Sequence, residues 1–104
     1  MERLHQTQRT MKTQKVINVF IGSHLNEIRE NSKISVDVLA KAIGLTRASI
    51  SNMEAGRQQI SIDKLFDIAI FFNEDILQFL PSKEWYSQTK HKQIRKVVTY
   101  DIID

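Results

Sequence analysis

The stretch Ile34–Ile62, ISVDVLAKAIGLTRASISNMEAGRQQISI, decides the fold. Leu39, Ala40 and Ile43 stand at i, i+1 and i+4, so Ser35 to Ala42 predicts a two-turn amphipathic helix. Ser35 is a favourable N-cap, and Asp37 puts a negative charge in the first turn, where the helix dipole welcomes it. Ala40 is small, which lets a following helix cross close by. Gly44 stands where this helix must stop, at a position suited to positive φ. Leu45 then plugs the space between the helices. Thr46 caps the next helix, Ile50 and Met53 bury its inner face, and Gly56 ends it. Two short helices with a glycine in the joining turn make a helix-turn-helix.

The outer face of the second helix carries the chemistry. After a start at Thr46, residues Arg47, Ala48, Ser51 and Asn52 share one side, while Ile50 and Met53 turn inward. A face of Arg, Ala, Ser and Asn, rather than Glu and Lys, is built to touch something. Base edges in the DNA major groove are the obvious surface. Arg47 can donate twice to guanine O6 and N7, Asn52 can pair bidentately with adenine, and Ala48 suits a thymine methyl. The competing reading of Arg47 is a phosphate contact. Ser35 and Thr46 sit at helix N-termini, where free N–H groups attract phosphate, and plain capping is compatible with that role.

Working outward, Ile17, Phe20, Ile21, Leu25 and Ile28 recur at helical spacing, which predicts a first helix over residues 14–31. Residues 1–13 are polar and Gln/Thr-rich without an apolar period, and read as a flexible basic arm. Met11 is an alternative start. Ser61 caps a fourth helix with Leu65, Ile68, Ala69 and Phe72 on its core face; Lys64 stands at the capping-box position where Glu is expected. Asn73 or Glu74 opens a fifth, with Ile76, Leu77, Phe79 and Leu80 apolar and Pro81 closing it. Beyond Pro81, KVVTYDII over residues 96–103 alternates like a strand, which would need a partner edge; a short helix or packed coil is the alternative. The division is thus an arm at 1–13, a helical domain at 14–81 and an extension at 82–104 for dimerisation or partner binding.

These pieces, in order, resemble a known family. Ile21-Gly22, Leu25, Ile28-Arg29, Leu39-Ala40, Gly44-Leu45-Thr46, Ile50-Ser51, Glu54-Ala55-Gly56-Arg57 and Ser61 through Leu65 to Ile68-Ala69 are similar to the phage repressor and Cro group, the XRE-like helix-turn-helix proteins. The resemblance implies an all-α, five-helix repressor-like domain that binds double-stranded DNA as a symmetric dimer, with half-sites ~34 Å apart. It also implies that Arg57, Gln58 and Gln59, in the loop after the recognition helix, join Ser35, Thr46 and Ser49 in gripping the phosphate backbone. Arg29 and Glu54 occupy the places of a partly buried ion pair. One departure is Val36, where the family often has a Gln that reaches phosphate. Another is the single long base-reader, Arg47, followed by short Ala48.

Composition fits these expectations and excludes others. A chain of 104 residues is one domain plus tails, and 41% hydrophobic residues permit a core. With no cysteine, disulfides and cysteine-based zinc sites are excluded. No apolar run reaches the ~18 residues of a membrane span, and no secretory signal shows, so a soluble cytoplasmic protein is expected. His5, His24 and His91 have no metal-ligand spacing, and neither a phosphate loop nor a nucleophile elbow is present. Neither an enzyme nor a metal or cofactor is expected. The net charge of +3 is uneven: +3 over residues 1–15, −2 over 16–80 and +2 over 81–104. Phosphate attraction therefore draws partly on the flanks.

Three functions fit. The first is a repressor on a palindromic operator; the second is an antitoxin-like regulator whose tail also grips another protein. The third is an interaction module without DNA binding. For the dimer, Ile76, Phe79 and Leu80 with Trp85, Tyr86, Val98 and Tyr100 give the expected surface, since the fifth helix has more apolar side chains than one core face needs. The alternative is that Trp85 and Tyr86 fold back onto their own domain.

Overall fold

The computed structural model describes residues 2–88, with side chains from residue 14 onward. The described residues form α1 (Glu2–Asn31), α2 (Val36–Ile43), α3 (Arg47–Glu54) and α4 (Ile62–Phe72), then a 3-10 turn at Ile76–Phe79. A last helical stretch occupies 83–88, its N–H groups at Trp85 and Tyr86 donating to the side chain and carbonyl of Ser82. The fold is all-α, with no strand among the described residues. The strand expected at 96–103 lies outside them, as do Val98 and Tyr100.

Helix α1 starts earlier than its apolar period predicts. The backbone is helical from Glu2, where a flexible arm was expected over 1–13. No Pro or Gly interrupts residues 2–21, and the Glu, Arg, Leu, Gln, Met and Lys found there are good helix formers. Once packing fixes the later turns, each added residue gains a backbone bond without a new nucleus. An apolar face is therefore not required for the helix to extend.

The core draws on α1, α2, α3, α4 and the 3-10 turn. Leu25 of α1, Leu39 of α2, Ile50 of α3, Leu65 and Ile68 of α4 and Phe79 of the 3-10 turn are all fully buried. Burying each is worth ~1.5–3 kcal/mol relative to exposure. Ile28, Leu45 and Phe72 pack around them, half-buried.

The later helix ends depart from the sequence reading in two ways. Ser61 does stand at the N-cap of α4, but its side chain makes no capping bond to the backbone. The Asp63 carboxyl lies below its ordinary pKa, chiefly through the neighbouring Ser61 hydroxyl. Lys64, odd for a capping box, reaches across to the Ile43 carbonyl at 2.8 Å and lies 3.5 Å from Asp67. A cation thus meets the negative end of the α2 dipole and fastens α2 to α4.

The fifth helix is a single 3-10 turn, not an α-helix opened by Asn73 or Glu74. Asn73 ends α4 in the left-handed region at φ 53°, with Glu74 N–H donating back to the Ala69 carbonyl at 2.9 Å. That leaves Asp75 to cap the turn through its side chain, and Leu80 is already extended before Pro81. A proline disfavours the helical conformation in the residue before it, so the chain has room for one turn. The shortened element rolls Phe79 fully into the core, so Phe79 is no surface anchor for a dimer.

Trp85 is half-buried and takes up the alternative of folding back onto its own domain. Its ring lies 4.9 Å from that of Phe20, whose ring also stacks on His24 at 4.3 Å. The segment after Pro81 thus folds back on α1 and spends part of its aromatic surface within the chain. His24 is held at Nδ1 by the Phe20 carbonyl, 2.9 Å away.

Candidate nucleic-acid interface

The turn between α2 and α3 fixes where α3 points. Gly44 adopts φ 72°, and both its N–H and that of Leu45 donate back to the Ala40 carbonyl. Ser35 caps α2 by accepting from Val38 N–H at 3.1 Å, and Thr46 caps α3 by accepting from Ser49 N–H at 3.1 Å. Thr46 in turn donates its hydroxyl to Ser49 Oγ at 3.1 Å.

Helix α1 clamps the far end of α3. Gly22 lies against the carbonyls of Met53 and Glu54, and Val19 lies against Gly56. Beside this contact, Arg29 Nε and Nη2 donate to the Glu54 carboxylate at 2.6 and 3.0 Å, and Asn26 Nδ2 donates to it at 2.7 Å. Arg29 Nη1 takes the Ile34 carbonyl at 2.7 Å, which ties in the loop before α2. The side chains of the pair are only 12% and 9% exposed. The hydrogen bond to Glu54 is the first cause that raises the Arg29 pKa above its ordinary value. Asn26 was not expected from sequence. Its place three residues before Arg29, on the same side of α1, was the available signal.

With its inner face locked, α3 exposes its outer one. Arg47, Ala48 and Ser51 are exposed and Asn52 is half-buried beside them, while Ile50 and Met53 are in the core. Arg47 Nη1 donates to Asp37 on α2 at 3.3 Å, both side chains being well over half exposed. An exposed pair of this kind is worth about 0–1 kcal/mol, so it does not bind Arg47 tightly. Asp37 as a partner of Arg47 was also not expected.

The loop after α3 is bonded to the helix it follows. The N–H groups of Arg57 and Gln58 both donate to the Asn52 carbonyl, at 2.9 and 3.2 Å. The Arg57 side chain returns to the same residue, Nε donating to Asn52 Oδ1 at 3.1 Å. Gln59 Oε1 accepts from Gln14 Nε2 of α1 at 2.8 Å. Ser35, Thr46 and Ser49 thus lie at the N-termini of α2 and α3, and Arg57, Gln58 and Gln59 in the loop after α3. Of the residues read as a dimer surface, Ile76 and Leu80 are half-buried against the core and Tyr86 is half-buried.

The family model described as Helix-turn-helix matches residues 25–79. A Thermococcus kodakarensis protein named as an HTH-type transcriptional regulatory protein, TK0539, is 35% identical over 57 residues. That match takes in 55% of this chain but 18% of the relative, so the chain spans less than a fifth of that protein's length. The restriction-modification controller protein C.AhdI from Aeromonas hydrophila superposes with a TM-score of 0.58 at 24% identity, covering 61% of this chain and 96% of that one. A helix-turn-helix family transcriptional regulator from Vibrio cholerae gives 0.59 at 23% identity, covering 64% of this chain and 37% of its own. At such identities the likeness is one of fold.

Proposed function

The chain belongs to the XRE-type helix-turn-helix family, and from that premise we propose a sequence-specific DNA-binding transcriptional regulator, a repressor that holds a palindromic operator as a dimer. One observation carries the reading: α3 commits Ile50 and Met53 to the core and leaves Arg47, Ala48, Ser51 and Asn52 on its outer face. That face is short-chained and polar around a single long cation, which suits entry into a major groove. The caps Ser35 and Thr46, with Ser49, offer hydroxyls and helix N-termini to phosphates on either side. Arg57, Gln58 and Gln59 grip the strand beside the groove. Residues 14–81 are the DNA-binding unit in this reading, and 82–104 serve dimerisation or a partner protein.

For the dimer, a second copy needs a self-complementary surface. Ile62, Phe66 and Ile70 recur every fourth residue along α4 and are exposed, Ile70 at 76%, and Leu77 of the 3-10 turn is exposed at 68%. This stripe replaces Phe79 in the proposed interface. Ile70→Glu is expected to turn a micromolar dimer monomeric in sedimentation equilibrium and to weaken operator binding, because the second half-site is no longer tethered to the first. An Ile70→Glu protein that stays dimeric removes the stripe from the interface.

The function itself is tested by selection from a library of randomised duplexes, followed by Arg47→Ala on the selected site and on scrambled DNA. A selected palindrome is expected. Arg47→Ala should then lose ~1–3 kcal/mol on the selected site and little on the scrambled one, as a bidentate base contact would. Equal losses on both would make Arg47 a phosphate ligand, and a library that yields no motif removes the sequence-specific reading.

A further inference from the structure

We infer that Arg57 sets which bases Asn52 can read, by holding the Asn52 amide in one orientation. The sequence alone allows Asn52 to present both its donor and its acceptor, the pattern that fits adenine. The structure engages that acceptor: Oδ1 accepts from Arg57 Nε at 3.1 Å, which uses one of its two lone pairs and fixes which end of the amide faces Arg57. A guanidinium has five donors and no acceptor, so only the oxygen of the amide can face it. In the planar amide the nitrogen then points away from Arg57. The same loop is fixed to the same residue by two backbone bonds, from Arg57 and Gln58 N–H to the Asn52 carbonyl. Arg57 is therefore placed by the main chain as well as by its side chain.

This inference rests on the reading of α3 as the base-reading helix. Under it, Asn52 enters the groove with its donor end foremost. The edge it fits is one of acceptors: guanine, with N7 and O6 side by side, and then thymine with O4. Adenine sets its N6 amino group beside N7, so a second donor from Asn52 meets a donor. Arg57 keeps its two terminal nitrogens for phosphate, so one residue both grips the backbone and sets the polarity of its neighbour. Its phosphate role is blind to sequence, whereas its hold on Asn52 is not.

The test uses the full chain and the randomised-duplex library. Selection with Asn52→Ala identifies the base pair that Asn52 reads, as the position whose preference disappears. At that position the parent protein should select guanine or thymine over adenine. Arg57→Met cannot hold Oδ1, and the guanine-to-adenine ratio there should fall by about fivefold or more, the low end of a bidentate contact. Loss of a phosphate grip lowers all affinities together and leaves that ratio unchanged. Asn52→Asp keeps an oxygen for Arg57 but turns the outward donor into an acceptor, and should move the preference to cytosine or adenine, whose edges donate. Adenine selected by the parent, an unchanged ratio in Arg57→Met, guanine retained by Asn52→Asp, or no position sensitive to Asn52→Ala would each overturn the inference while leaving a selected motif intact. A library that yields no motif with the parent protein overturns the base-reading helix itself and the inference with it.

Discussion

Glu54→Ala is expected to lower stability by ~3–5 kcal/mol, the cost of leaving one member of a buried pair without its counter-charge. The pair qualifies as buried because its side chains are 12% and 9% exposed. Glu54 takes three donated bonds, two from Arg29 and one from Asn26, and Arg29 spends its remaining nitrogen on the Ile34 carbonyl. Truncation at Glu54 thus strands a guanidinium and an amide together. For a domain of this size, 1 kcal/mol moves the melting temperature by roughly 4–8 °C, so a loss of about 12 °C or more is expected in a thermal melt. A melt within a degree or two of the parent would place the pair with exposed ones, worth about 0–1 kcal/mol. The double change Arg29→Met with Glu54→Leu should recover much of the loss, because a buried ion pair replaced by apolar groups is often neutral. On the alkaline side, a raised Arg29 pKa means its contribution is fully present below the unfolded pKa and is lost only as pH rises through the folded one. That point lies above the ordinary guanidinium value, so alkali short of it leaves the contribution in place.

The helix-turn-helix was legible because each of its residues has one strong local reason to be where it is. Gly44 satisfies a left-handed C-cap, Ser35 and Thr46 cap by side chain, and Leu39, Ile50 and Met53 follow the helical period into the core. The Arg29–Glu54 contact was legible only through family resemblance, since the two residues are 25 apart in sequence and no local rule joins them. What misled was periodicity used alone. At residues 2–13 the absence of an apolar stripe says nothing against a helix that continues from a packed one. At residues 73–80 a helical spacing of apolar residues was present, but Asn73 in the left-handed region and the constraint of Pro81 left room for only a 3-10 turn. The orientation of Asn52 was beyond sequence, because it depends on where the Arg57 side chain lies after the loop turns back.

Gly22→Ala is expected to destabilise by about 3 kcal/mol, the upper end of overpacking costs. On helix propensity alone the change should stabilise, since Ala is favoured over Gly by ~1 kcal/mol in a helix interior. Local space decides the sign. A Cβ at residue 22 would overlap the Met53 carbonyl oxygen and lie 2.9 Å from that of Glu54. Both are backbone atoms, so no side chain can rotate aside, and relief requires α1 and α3 to separate. Separation would also stretch the bonds from Asn26 and Arg29 to Glu54, which span the same two helices. Gly44→Ala provides the contrast. Nothing lies within 4 Å of a Cβ there, and only the left-handed φ of 72° opposes it. That strain costs ~1–2 kcal/mol. The two glycines are thus kept for different reasons, one for close approach and one for backbone conformation. Thermal melts of both variants beside the parent decide the matter. If Gly22→Ala melts at or above the parent, the close packing of α1 on α3 that positions the exposed face of α3 is wrong.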